Sequence, residues 1–335
     1  MSSSATLITC LRNEAPFLIE WLAYHKAIGF DRIIIGANDC TDGSHEMLTR
    51  LAELGEIIYL PFTSGGHPEG PQYQFRDILE SSNIIAFGDW IMWMDLDEFL
   101  VVHLEGGTVH DLSRQLENAA GIHLNWRIFG CSDETDWPGS QVHPTLCTCA
   151  PKDFYLDRSQ LDHRTFKSLY RYESGMLIDL HGPVLSPDNA AQRPDWRFGN
   201  GKPMRRNAWP RKRIFPEAGV KPSNLRHQAY YGWGQINHYA TRHPKLQAMR
   251  RERGVGSYFI PKDKTVPGYK DFADRYSPSY FKLYAQYSSH EPSILKNLTK
   301  TEMQAANLLS DRFIKKLHLQ AQAILEAQFK EPAYA

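Results

Sequence analysis

Four short apolar runs separated by helix-periodic segments fill the first hundred residues, and this alternation constrains the fold more than any other feature of the sequence. Thr6 to Leu11 reads as a buried strand. Asn13 stands where a helix cap belongs and Pro16 suits a first turn; Phe17, Leu18, Trp21, Leu22, His25 and Ile28 then share one face before Gly29. Ile33 to Ile35 is the second strand. A helix from about Ser44 carries Met47, Leu48 and Leu51 to Gly55, and Ile57 to Leu60 is the third strand. After a Gly- and Pro-rich loop at Ser64 to Pro71, a helix near Tyr73 to Ser82 leads to Trp90 to Met94, which is apolar on both faces and therefore central. The pattern predicts an α/β fold with a Rossmann-like, mostly parallel sheet flanked by helices.

In such sheets ligands bind beyond the carboxyl ends of the strands. Polar residues gather at those ends: Arg12, Asn13 and Glu14, then Asn38, Asp39 and Asp42, then Asp95, Asp97 and Glu98. Continued strand alternation would send Asp95 and Asp97 to the same side, where they can share one divalent cation, or one can hold metal and the other a ribose hydroxyl. Mn²⁺ or Mg²⁺ suits those oxygens and would neutralise a diphosphate. The competing reading is a solvated acidic turn.

Beyond residue 110 the periodicity weakens. His123 to Phe129 reads as a strand, and Phe166 to Tyr172 with Met176 to Leu180 as a hairpin about Glu173, Ser174 and Gly175. Lys167 falls inside the first hairpin strand, where a cation either reaches a phosphate or lies on an exposed face. Between Arg193 and Arg213 stand eight Arg or Lys and one Asp, a basic loop with Gly and Pro. Arg250, Arg251 and Arg253 form a second basic patch, either a diphosphate clamp or a solvated face. One long helix closes the chain from about Thr301 to Lys330, with a capping box at Thr299 and Glu302 and a stripe of Met303, Ala306, Leu309, Phe313, Leu317, Ala321 and Ile324. That stripe needs cover from the rest of the chain, a second copy in a homodimer, or a membrane surface. The mixed charge of its polar face favours protein over lipid.

Thirty-eight Lys and Arg balance thirty-eight Asp and Glu, so no whole-chain field attracts nucleic acid. The longest apolar run, Trp90 to Val102, contains Asp95, Asp97 and Glu98, which excludes it as a membrane span. Five cysteines make no disulfide framework, and Cys147 and Cys149 lack the second ligand pair that a zinc site requires. No basic segment followed by a sustained apolar stretch opens the sequence. These features predict a cytoplasmic protein, at most peripheral at the inner face of a membrane.

Four blocks then carry a family resemblance. Leu11-Arg12-Asn13-Glu14-Ala15-Pro16-Phe17, Glu20-Trp21-Leu22-Ala23-Tyr24-His25, Asn38-Asp39-Cys40-Thr41-Asp42-Gly43-Ser44 and Trp93-Met94-Asp95-Leu96-Asp97-Glu98-Phe99 resemble, in order and spacing, the successive blocks of family 2-like glycosyltransferases. The nearest subgroup is bacterial, with Asn-Glu, Asp-x-Asp-Glu-Phe and His-Tyr blocks. Phe166-Lys167-Ser168, Ile236-Asn237-His238-Tyr239 and Arg250-Arg251-Glu252-Arg253-Gly254 resemble its later, looser blocks.

The resemblance implies a GT-A catalytic domain over residues 1–254 and leaves the helical C-terminal extension, 255–335, outside it. It makes Asp95 and Asp97 the metal and ribose-phosphate motif and His238 a late metal ligand. Asn13, Glu14, Asn38, Asp39 and Asp42 would line the nucleoside pocket. Lys167, Arg250 and Arg251 would reach the donor. Inverting transfer needs a carboxylate base. Asp133, Glu134 and Asp136, just after the strand that ends at Phe129-Gly130, are the candidates; the sequence departs here from the Glu-Asp pair the family often uses, and each also reads as an ordinary loop acid. The implied activity is metal-dependent transfer from a UDP- or GDP-linked sugar to a hydroxyl of a saccharide or glycolipid, in surface polysaccharide or glycolipid synthesis. Two alternatives compete. A haloacid-dehalogenase-like phosphatase also uses Asp-x-Asp after an apolar strand, although here the motif ends the fourth strand and precedes Glu-Phe; the other is a non-catalytic nucleotide-sugar binding module.

Overall fold

A computed structural model describes residues 4–116, 118–130, 142, 146, 148–149, 151–152, 165–186, 195–204, 229–241, 246, 289–290 and 297–330. The alternation of the first hundred residues folds as expected. Strands β1 (Ala5–Leu11), β2 (Arg32–Asn38), β3 (Ile58–Phe62) and β4 (Trp90–Trp93) lie parallel in the order β3-β2-β1-β4. Helices α1 (Ala15–Ala27), α2 (Ser44–Glu53) and α3 (Pro71–Ser82) connect them. The carboxyl ends of all four strands therefore share one edge. Alternate residues serve two separate cores: Leu7, Ile33, Ile35 and Met92 face α1 and α2, whereas Ile8, Ile34, Ile91 and Trp93 face α3. Burial on both faces is why these strands are apolar throughout.

The second half of the sheet is mixed. Chain order continues with β5 (Glu98–Val102), α4 (Val109–Gln115), β6 (Gly121–Gly130), β7 (Thr148–Cys149), β8 (Phe166–Arg171), β9 (Met176–Leu177), β10 (Val184–Leu185), β11 (Trp196–Phe198), β12 (Gly234–Thr241) and β13 (Ser289–His290). β8 enters antiparallel between β4 and β6, and β12 lies parallel to β6 and antiparallel to β5. The result is the GT-A-like arrangement that the resemblance implied. The hairpin expectation is corrected, because Met176–Leu177 pairs with Val184–Leu185 while β8 joins the main sheet. Of the basic segment, Trp196–Phe198 is a strand beside β6, and residues 205–213 lie outside the described residues.

Two helices, α5 (Leu298–Leu308) and α6 (Arg312–Lys330), replace the single C-terminal helix. Asp311 makes the break, since its Oδ1 accepts from the backbone N–H of Phe313 and Ile314 and so starts a new helix. Thr299 caps nothing; it lies within α5, which follows Asn297. The break also moves the buried stripe to Leu308, Ile314, His318, Ala321 and Leu325, leaving Met303, Phe313 and Ile324 exposed. Leu308, Ile314, Ala321 and Leu325 join the same core as α1 and α2. Covered by the sheet and by α5 and α6, α1 is buried at every position from Phe17 to His25, where the sequence indicated one apolar face.

Candidate functional site

Two loops meet at the carboxyl edge. Asn13, expected as a cap, instead adopts a left-handed conformation (φ 55°) and binds the next loop: its Oδ1 accepts from Thr41 N–H at 2.8 Å and its Nδ2 donates to Thr41 Oγ1 at 3.2 Å. Asp42 performs the capping. One oxygen accepts from Ala15 N–H at 2.9 Å, in the first turn of α1, and the other from Ser44 N–H at 3.0 Å, in the first turn of α2. Glu14 is buried and its N–H donates to Ser44 Oγ. Asn38 is buried, with its amide on Asp39 Oδ2. The same Asp39 oxygen accepts from the hydroxyl and N–H of Ser64, which ties the β2 loop to the loop after β3. Those bonds, Ser64 hydroxyl first, hold the exposed Asp39 carboxyl below the usual carboxylate range.

Asp95 and Asp97 do not continue the alternation of β4. The strand ends at Trp93, and residues 95–97 turn back so that Glu98 opens β5. The turn sends the two carboxylates in different directions. Asp95 Oδ1 accepts from Gln72 Nε2 at 3.0 Å, and its Oδ2 lies 3.4 Å from Lys167 Nζ. Asp97 Oδ2 lies 3.4 Å from His238 Nε2, with both side chains nearly buried. Strand pairing explains that meeting, because His238 is opposite Glu98 in the β12–β5 ladder and Tyr239 N–H donates to Asp97 O. The His238 ring also lies 4.1 Å from the ring of Trp126, and its Nδ1 is buried without a hydrogen-bond partner.

Below the turn, the indole N–H of Trp21 reaches the carbonyls of Asp95 (3.1 Å) and Glu98 (3.0 Å). Glu98, fully buried, accepts from Asp95 N–H at 2.8 Å and pairs with Lys167 at 3.2 Å. Lys167 is likewise fully buried and donates to Leu180 O at 2.9 Å. Burial pushes the Glu98 carboxyl well above its ordinary value, against the pull of Lys167. For Lys167, burial acts downward, but Asp95 and Glu98 outweigh it and hold the ammonium charged. Lys167 thus lies behind Asp95, on no exposed face.

Among the described residues, no three His, Cys, Asp or Glu side chains converge on one point. The Asp97–His238 pair nevertheless offers the oxygen and imidazole donors that Mn²⁺ accepts, with Asp95 two residues away in the same turn. Asp133, Glu134, Asp136, Arg250 and Arg251 lie outside the described residues. The sequence reading missed Gln72, and it placed Trp21 on the apolar helix face and in a family block without foreseeing its bonds to the turn. The β3–β4 crossover helix must begin at the carboxyl edge, so the first turn of α3, right after Pro71, was the signal for Gln72.

The carboxyl edge of the parallel half-sheet thus carries Asp95 and, set against His238, Asp97, at the place where sheets of this kind bind their ligands. The family model of glycosyltransferase family 92 matches residues 7–189, and the chain belongs to that family. A family 92 glycosyltransferase protein of rice (Oryza sativa subsp. japonica) is 32% identical over 152 residues, 44% of this chain and 24% of that protein, so the match spans about a quarter of the relative's length. Two solved structures overlap more loosely. Staphylococcus aureus TarS has a TM-score of 0.31 at 11% identity, over 97% of this chain and 54% of that one. A mycobacterial protein has a TM-score of 0.28 at 10% identity, over 51% and 54%. Scores this low define no shared fold. The family 2-like assignment is therefore corrected to family 92. Its Asn-Glu and Asp-x-Asp-Glu-Phe blocks fall inside the matched range, while the His-Tyr and Arg-rich blocks fall beyond it. Blocks this short report how a strand end serves a ligand and are too brief to separate related families.

Proposed function

We propose that this chain catalyses metal-dependent transfer of a sugar, with inversion, from a nucleotide-sugar to a hydroxyl acceptor. One observation carries the reading: the β4–β5 turn presents Asp95 and Asp97 at the carboxyl edge of four parallel strands, with Asp97 set against His238. Asp97 and His238 would hold Mn²⁺ or Mg²⁺, which when bound offsets charge on the departing diphosphate. Asp95, whose carboxylate points elsewhere, is proposed to meet the ribose or phosphate of the donor. The Asn13–Thr41 and Asp39–Ser64 links fix the rim against which the nucleoside of a UDP- or GDP-linked donor would lie. Arg250 and Arg251 are proposed diphosphate contacts. Asp133, Glu134 and Asp136 follow the end of β6, which runs beside the strand of His238, and one of them is proposed to take the proton of the acceptor hydroxyl. A saccharide or glycolipid supplies that hydroxyl.

The test is incubation with UDP- and GDP-sugars, Mn²⁺ and a saccharide acceptor panel. Release of nucleoside diphosphate is the expected result. It should fall by at least about a hundredfold in Asp97→Ala, since one lost electrostatic contact to the transition state is worth that much. The variant's circular dichroism should remain that of the wild type. His238→Ala should raise the Mn²⁺ concentration needed for half-maximal rate. Release of phosphate from phosphate esters would instead favour the phosphatase, and binding without turnover the binding module.

A further inference from the structure

We propose that Lys167 and Glu98 form an internal counter-ion pair whose role is to position Asp95, and that Lys167 itself touches no donor. An ammonium has three hydrogens to place. In Lys167 all three directions are taken inside the protein, by Leu180 O at 2.9 Å, Glu98 Oε2 at 3.2 Å and Asp95 Oδ2 at 3.4 Å, and the side chain has no exposed surface. Reaching a phosphate would strip Glu98 of the cation it pairs with among the described residues, in a fully buried place, which is costly.

The same geometry explains why a buried ion pair sits here at all. Glu98 Oε2 holds Asp95 twice, directly through its backbone N–H at 2.8 Å and indirectly through Lys167. Gln72 fixes the other carboxylate oxygen of Asp95, and Trp21 fixes its carbonyl. Asp95 is thereby held at N–H, carbonyl and both oxygens although it lies in a turn, where neither strand nor helix would orient it. Two side chains, Glu98 on β5 and Lys167 on β8, lock the turn that follows β4. An apolar pair could fill the volume but could not orient a carboxylate.

The test uses the full chain with both charges removed, Lys167→Met with Glu98→Gln, because Lys167→Met alone leaves a buried carboxylate and threatens the fold. The first readout needs no ligand: amide exchange at residues 95–97 should become at least about tenfold faster while the melting temperature stays near that of the wild type. The second rests on the glycosyltransferase reading and measures affinity for UDP and for GDP with Mn²⁺ in the wild type, Asp95→Asn, the double variant and the triple variant. If the pair acts through Asp95, the triple variant binds no more weakly than Asp95→Asn. Additive losses would mean that Lys167 touches the ligand and would overturn the proposal. Wild-type exchange in a stable double variant would overturn it equally. Failure of the wild type to bind either nucleotide would count against the glycosyltransferase reading, and exchange at the turn would still decide the role of the pair.

Discussion

His25 lies on the helix below the candidate site without taking part in it, and burial sets its chemistry. Its Nδ1 is 2.8 Å from Trp21 O, its ring lies flat against Phe99, and its Nε2 has no hydrogen-bond partner. Burial, only partly offset by the Trp21 bond, lowers its pKa from 6.5 to about 3. Below pH 6.5 the unfolded chain gains a proton that the folded chain refuses, so stability present above that pH is lost as pH falls toward about 3. The slope is at most about 1.4 kcal/mol per pH unit. His25→Phe should flatten this acid limb when urea unfolding is followed from about pH 7 to 4. Parallel curves for the two proteins would place the charge elsewhere. Asp42 shows why single residues at the carboxyl edge are hard to read from sequence. An Asp that accepts from helix N–H groups and one that awaits a ligand stand at the same place in a β-loop-α unit, and the spacing around Asp42 suits both. Asp42→Ala should cost about 1–2 kcal/mol in thermal or urea unfolding, as two caps disappear, and Asp42→Asn should recover part of it. An unchanged midpoint in Asp42→Ala would show that water replaces both bonds.

Helices and strands with local periodicity were legible in the sequence, and pairings made across long chain separations were not. Trp90 to Met94 announced a central strand by being apolar on both faces. Nothing local in Phe166–Arg171 said that it would enter between β4 and β6, and so nothing local said that Lys167 would end behind Asp95. His238 meets Asp97 for the same kind of reason, the β12–β5 ladder. The C-terminal stripe failed differently: a helical period was carried through Ser310 and Asp311, where a capping carboxylate restarts the helix in a new phase. Close approach between elements was also invisible. A Cβ on Gly36 in β2 would lie 2.4 Å from the Phe75 ring, so α3 seats on the sheet only because that position has no side chain. Gly36→Ala should therefore cost about 1–3 kcal/mol, the usual range for overpacking. Adding Phe75→Leu should return part of that loss in a double-mutant cycle. Strictly additive costs would show that α3 shifts freely and that the contact does not set its seat.

At the scale of the whole molecule, the last two helices complete the core that carries the site. α5 and α6 cover α1 and α2, the helices that follow the Asn13 and Asp42 loops. Arg50 of α2 grips Asp311 through two nitrogens, and Asn297 Nδ2 donates to Gly107 O at the far end of α5. The re-phased stripe of Leu308, Ile314, Ala321 and Leu325 is thus covered within the chain, while Met303, Phe313 and Ile324 stay exposed. Among the described residues no helix is long and apolar enough to cross a membrane. The phase of α6 yields a paired prediction. Ile314 is fully buried and Ile324 is 59% exposed, so Ile314→Ala should cost about 2–4 kcal/mol by leaving a cavity, while Ile324→Ala should stay within about 0.5 kcal/mol. The unbroken stripe read from the sequence reverses that order, because it buries Ile324 and leaves Ile314 out. Urea unfolding of the two variants separates the alternatives. Should Ile324→Ala prove the costlier, α6 would be turned on its axis and the cover over α1 would have to be redrawn. With the expected order, nucleotide affinity in Ile314→Ala should weaken only as far as the folded fraction falls, since Ile314 packs into the core behind the carboxyl edge and is not among the residues proposed to meet the donor.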